Sequence, residues 1–163
     1  MQQTATAPPP AGPARTWEAT YPGTADQVRR IRAALRSFLD DCPVADDVIL
    51  LADELAANAI NHSNSGRPGG IFTARAEHIH GDHVWAEIED QGSATWDGNL
   101  SRSARHPHGL SLLLALALRC GTGGSPHART IWFRIDCPTP GSLPTAPGRP
   151  VPEPGHRTRT DAR

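Results

Sequence analysis

No apolar run in this chain is long enough to cross a membrane. The longest, Leu110–Leu118, is interrupted by Ser111 and is about half the ~20 residues that a spanning helix needs. Net charge of either sign is also missing: 16 basic and 17 acidic side chains leave a formal −1, so no global field draws the chain to nucleic acid or to an anionic membrane. Paired cysteines are absent. Cys42, Cys120 and Cys137 are odd in number and widely spaced, with no Cys-x-x-Cys, which argues against a disulfide framework or a zinc knuckle and for buried reduced thiols. The first fifteen residues contain no apolar h-region, so they do not read as a secretory signal. Together these absences predict a cytoplasmic protein. Apolar residues reach only 37%, and 16 prolines, most of them at the two ends, together with 15 glycines account for much of the deficit.

What is present fits one domain with a real core, since 163 residues are too few for two comfortable ones. Residues 1–15 and 138–163 are rich in Pro, Gly, Thr and Ala and nearly devoid of large apolar side chains. Burial cannot offset the entropy of ordering such segments, so both read as solvated tails, the second carrying Arg149, Arg157, Arg159 and Arg163. The folded unit is then residues 16–137.

Within it, Thr16 to Tyr21 predicts a strand that stops at Pro22-Gly23. Thr24 or Asp26 is placed to cap a helix whose apolar residues Val28, Ile31, Leu35, Phe38 and Leu39 recur at helical spacing. A second helix is expected from about Ala45 to His62. Two strands follow, Ile71–His78 and His83–Glu89, joined by a tight turn at Gly81-Asp82. Residues 91–108 show no period. Leu110–Arg119 predicts an apolar helix halted by Gly121, Gly123 and Gly124, and Thr130–Asp136 a last strand. Helices on one face of a mostly antiparallel sheet make an α+β two-layer sandwich.

The second helix carries the first chemistry. Val48, Leu51, Ala52, Leu55 and Ala59 form its apolar stripe, and Glu54 and Asn58, at i and i+4, sit together at the stripe's edge with His62 one turn on. A carboxylate beside a carboxamide suits a hard cation and a nearby hydroxyl proton. The helix alone equally allows an exposed face closed by an i,i+4 hydrogen bond. Asp90-Gln91-Gly92 comes straight after a strand, where a carboxylate is placed to accept from a base amine and Gly92 lets backbone approach a ligand. His108-Gly109-Leu110 opens the apolar helix, whose free N–H groups suit phosphates.

In this order ELAANAINH (Glu54–His62), IEDQG (Ile88–Gly92), HGL (His108–Leu110) and RTIWF (Arg129–Phe133) resemble the successive boxes of the GHKL, or Bergerat-fold, ATPases and kinases. The branch most similar is that of the bacterial anti-sigma-factor serine kinases, with LLADELAANAINHSNSG (Leu50–Gly66) the strongest match. The resemblance implies ATP and Mg²⁺ as ligands, Asn58 as the metal-coordinating residue, Glu54 as general base and Asp90 as acceptor of the adenine amine. It implies close nucleotide approach at Gly92 and at His108, Gly109 and Leu110, contact of Thr130 with adenine through water, and a lid over residues 93–107. It further implies a protein serine/threonine kinase that phosphorylates a STAS-domain anti-anti-sigma factor, sequesters a sigma factor and forms a homodimer.

The chain departs from that branch at the lid. His108 stands where arginine is usual, Pro107 where glycine is usual, and Ala94 where a second glycine is sometimes found; Arg102 or Arg105 is placed to supply positive charge instead. These departures touch phosphate handling and leave the base and metal groups intact. They keep a second function open, a nucleotide-sensing protein-binding module without transfer. His78, His80 and His83 bracket the hairpin and read as solvated tips, since no cysteine pattern accompanies them; Trp85 and Trp132 read as core or sheet-face residues.

Overall fold

The computed structural model describes residues 12–94, 113 and 115–137. Among them are β1 (Ala14–Pro22), α1 (Gln27–Phe38), α2 (Ala45–His62), a single 3₁₀ turn (Asn64–Gly66), β2 (Ile71–Ile79), β3 (His83–Asp90), β4 (Arg119–Ser125) and β5 (Ala128–Asp136). The strands form one antiparallel sheet in the order β1-β2-β3-β5-β4. With α1 and α2 packed on one face, this is the expected α+β two-layer sandwich. No described helix is long and apolar enough to cross a membrane.

Strict alternation builds the sheet's inner face. Phe72, Ala74 and Ala76 of β2, Val84, Ala86 and Ile88 of β3, and Ile131, Phe133 and Ile135 of β5 are buried, while their neighbours along each strand are half-exposed. The three alanines keep the middle of the sheet low enough for α2 to lie against it. From the helix side Val48, Leu51, Ala52, Leu55 and Ala59 all reach the core, as their spacing predicts, joined by Ile49 and Ala56. Ile31 and Leu35 of α1 complete it. Each fully buried leucine contributes roughly 1.5–3 kcal/mol. Arg32 of α1 clamps Asp53 of α2 through two donors at 2.8 and 2.6 Å, and burial pushes the Asp53 carboxyl above its ordinary range while that arginine pulls it back. The outer face is polar, with Arg75 bridging Glu18, Glu87 and Glu89 across three strands.

Three expectations need correcting. β1 begins at Ala14, two residues inside the segment read as a tail. The glycines read as the stop of an apolar helix belong instead to β4, and Arg119, read as that helix's last residue, opens this strand. Leu118 N–H already donates to Arg134 O at 2.9 Å, so pairing with β5 has begun before the predicted helix end. Gly121 makes room there, because a Cβ on it would meet the Trp132 ring at 2.8 Å. Third, His78 is no solvated tip: it is 1% exposed, on the core face beyond Phe72, Ala74 and Ala76. The turn after it has Gly81 at φ +77°, as a tight hairpin requires.

Candidate functional site

The end of α2 and the end of β3 are joined by a short set of hydrogen bonds. Ser63 caps the 3₁₀ turn: its Oγ accepts from Ser65 N–H at 3.0 Å and donates to Ala59 O at 2.7 Å. Ser65, fully buried, presents its Oγ to Gln91 N–H at 2.9 Å. Asn64 N–H donates to Gly92 O at 2.8 Å, and its carboxamide nitrogen donates to Gln91 O at 3.3 Å. Gln91 in turn accepts from Ile71 N–H through its side chain at 3.2 Å. The Asn-Ser pair after the helix therefore ties the exit of α2 to Gln91 and Gly92 at the end of β3. Nothing in the spacing of the motifs had singled out Ser65, although a serine in a short polar turn after a helix is a common source of such local bonds.

Asp90 is 3% exposed. Its Oδ1 accepts from Gly92 N–H at 2.8 Å, and its Oδ2 accepts from Arg129 Nε at 2.8 Å and from Arg129 Nη2. Burial pushes the Asp90 carboxyl above its ordinary range, and the guanidinium opposes that shift. Arg129, 2% exposed, faces Asp90 directly across the β3–β5 ladder. Thr130, the residue expected at the adenine, pairs instead with Glu89 and alternates onto the outer face with Trp132 and Arg134. The structure thus brings Arg129, and not Thr130, to Asp90. Alternation in TIWFRID with Ile131 and Phe133 inward was enough to place residue 129 inward and 130 outward.

Gly92 has φ +65°, and a Cβ on it would lie 1.8 Å from Pro126 O. Its lack of a side chain thus lets β3's exit pass under the β4–β5 turn. Glu54 and Asn58 are both half-buried on α2. The Asn58 carboxamide nitrogen is buried and has no hydrogen-bond partner among the described residues. A buried amide end left unpaired costs on the order of 1–3 kcal/mol, and a ligand's acceptor atoms would satisfy it. Oxygen donors from Glu54 and Asn58 on one helix face suit a hard cation such as Mg²⁺, so the residues present fit that group. His62 is exposed. His108, Gly109 and Leu110, with Arg102, Arg105, His106, Pro107 and nearly all of the expected lid, lie outside the described residues.

Comparison with known proteins follows the same lines. Residues 21–126 match the histidine kinase-like ATPase domain family; the stretch includes Glu54, Asn58, Asp90 and Gly92 and stops short of β5. No curated protein matches the chain. Among solved structures, the RsbU and RsbW domains of Rv1364c from Mycobacterium tuberculosis superpose with a TM-score of 0.57 at 19% identity, over 76% of this chain. The chain spans only 33% of the length of that protein, and at this identity the likeness is one of fold. Matched over more than half its length, the chain belongs to the histidine kinase-like ATPase domain family.

Proposed function

We propose that the chain binds ATP with Mg²⁺ beside α2 and the end of β3, and acts as a serine kinase of the anti-sigma-factor type. Its substrate on this reading is a serine of a STAS-domain anti-anti-sigma factor, and its second partner a sigma factor. The observation that carries the reading is the set of bonds between the exit of the Glu54/Asn58 helix and Gln91-Gly92 after Asp90, with the Asn58 amide of that helix buried and unpaired among the described residues. The likeness in fold to a protein containing an RsbW domain supports it. The unit assigned to this function is residues 16–137 together with Ala14 and Arg15 of β1.

Phosphoryl transfer asks mainly for alignment and charge stabilisation. Bound Mg²⁺ would neutralise charge on the phosphates. Asn58 would hold it, and Glu54 would accept the proton of the attacking serine hydroxyl. Asp90 would accept from the adenine amine with lone pairs that Gly92 and Arg129 leave open, which selects adenine over guanine because guanine presents a carbonyl there. His108, Gly109 and Leu110 would address the phosphates through backbone N–H groups at the head of a helix.

Arg129 favours a second reading, a nucleotide-sensing module that regulates by protein contact. With Asp90 Oδ2 already engaged by a buried guanidinium, a base has only the remaining lone pair of Oδ1 to address, which suits sensing more than turnover. Labelled ATP, Mg²⁺ and a STAS-domain protein separate the two. Label on a serine of the STAS protein, lost in Glu54→Gln, supports the kinase. Adenine-nucleotide binding without transfer to any STAS protein supports the sensor, and absence of nucleotide binding by the parent chain overturns both.

A further inference from the structure

At the end of the sheet remote from Asp90, three side chains from three elements converge. Cys42 lies in the α1–α2 connection, His78 next to last in β2, and Cys137 one residue past β5. The two sulfurs are 3.2 Å apart and His78 Nε2 is 3.7 Å from Cys137 Sγ. One donor atom from each falls within 4.8 Å of the others. All three residues are buried: Cys42 is 7% exposed, His78 and Cys137 1% each. His78 Nδ1 is turned the other way, 3.7 Å from Asp41 Oδ1, and it has no hydrogen-bond partner among the described residues. From this arrangement we infer that Cys42, His78 and Cys137 form a binding site for a thiophilic divalent cation of the Zn²⁺ type, oriented by Asp41.

The donor set fits that ion. Zn–S bonds of ~2.3 Å and Zn–N bonds of ~2.05 Å in a tetrahedron put the sulfurs roughly 3.8 Å apart and sulfur and nitrogen roughly 3.6 Å apart. The Cys137–His78 separation already meets this, and the sulfurs need to open by about half an ångström. A disulfide instead needs them near 2.05 Å and leaves His78 buried with both ring nitrogens unused. A carboxylate that accepts the other ring N–H is the usual companion of a metal-ligating histidine, and Asp41 Oδ1, 3.7 Å behind the imidazole, needs to close by only several tenths of an ångström to take that place. Charge closes too: two thiolates and one dication sum to zero, which a buried site requires. Three protein donors leave a fourth position for water. The binding step is two S–H bonds exchanged for two S–Zn bonds, with both protons released to solvent. The site ties the α1–α2 connection to the ends of β2 and β5, and its chemistry is independent of the nucleotide reading.

The test uses the tag-free full chain, reduced and stripped of metal with a chelator. Zn²⁺ is titrated in competition with a chromophoric chelator, and Co²⁺ is used as the spectroscopic stand-in. The expected result is one equivalent of Zn²⁺, a raised Tm, and Co²⁺ spectra with thiolate charge-transfer bands and intense tetrahedral ligand-field bands. Cys137→Ser and His78→Gln should each weaken Zn²⁺ binding by 100-fold or more, and Asp41→Asn by about 10–100-fold. Cys120→Ser, outside the cluster, should change neither affinity nor spectrum. The Co²⁺ spectrum of the parent decides the matter even where a cysteine variant fails to fold. Octahedral Co²⁺ without thiolate bands, Zn²⁺ affinity equal in the parent and Cys137→Ser, or a Cys42–Cys137 disulfide persisting under thiol reductant would each overturn the site.

Discussion

Among single residues, Asp90 and Arg129 are the buried ion pair at the proposed nucleotide site. Both are almost completely buried and each satisfies the other, so removing one partner leaves an uncompensated charge in the core. Asp90→Asn and Arg129→Ala should each lower unfolding free energy by about 3–5 kcal/mol, and the double variant should lose less than the sum, as a double-mutant cycle in urea will show. Purely additive losses would mean that the pair contributes nothing as a pair. Affinity lost in Asp90→Asn must accordingly be read on protein shown to be folded. Glu54 sits apart from this pair and allows a cleaner test. Glu54→Gln preserves size and should keep ATP affinity within a few-fold, while single-turnover transfer falls by about 10²–10⁴-fold, the usual worth of a general base. Loss of binding with intact transfer would reverse its role.

Between elements, the decisive contact is the latch at the exit of α2. Ser65→Ala removes the acceptor of the part-buried Gln91 N–H, which costs about 1 kcal/mol. Because the same bond ties the residue after Asp90 to the exit of α2, ATP affinity should fall as well on the proposed reading, measured by calorimetry below the variant's Tm. Stability lost with affinity unchanged would show that the latch serves folding alone. Gly92→Ala adds a Cβ 1.8 Å from Pro126 O at a φ of +65°. Hydrogen exchange should then show the β4–β5 hairpin opening preferentially, since the clash is with its turn. β4 also shows where local propensity gives way. Three glycines in seven residues argue against a strand, yet β5 supplies a ready ladder of donors and acceptors, and Gly121 gives the Trp132 ring somewhere to lie.

For the molecule as a whole, a ligand that binds only the folded state must stabilise it. ATP with Mg²⁺ at a hundredfold excess over its dissociation constant should add about 2.7 kcal/mol, read as a rise in Tm, and ADP should also raise it if, as proposed, Asp90 addresses the base. A melting curve unmoved by millimolar adenine nucleotide would count against the nucleotide site as a whole. Zn²⁺ should raise Tm at the opposite end of the sheet. If the two sites are independent, their increments will add, because the cluster near His83 and the Asp90 end of β3 are roughly 20 Å apart at ~3.3 Å per residue.

Local sequence determined the elements and their faces. Helical spacing from Val48 to Ala59 placed α2's buried stripe, and with it Glu54 and Asn58 at the stripe's edge. Alternation marked the inner faces of β2, β3 and β5, because a strand has only two sides. These patterns are short-range, set by backbone geometry within a few residues. What touches what across the fold is not written in any one segment. Alternation alone set residue 129 inward and 130 outward, but only the β3–β5 register put Arg129, 39 positions away, onto Asp90. Only the meeting of a connection and two strand ends brought Cys42 to Cys137 across 95 positions and set buried His78 beside them. Cysteine spacing argued against a metal site because it counts separation along the chain, whereas ligand geometry depends on distance in the folded protein.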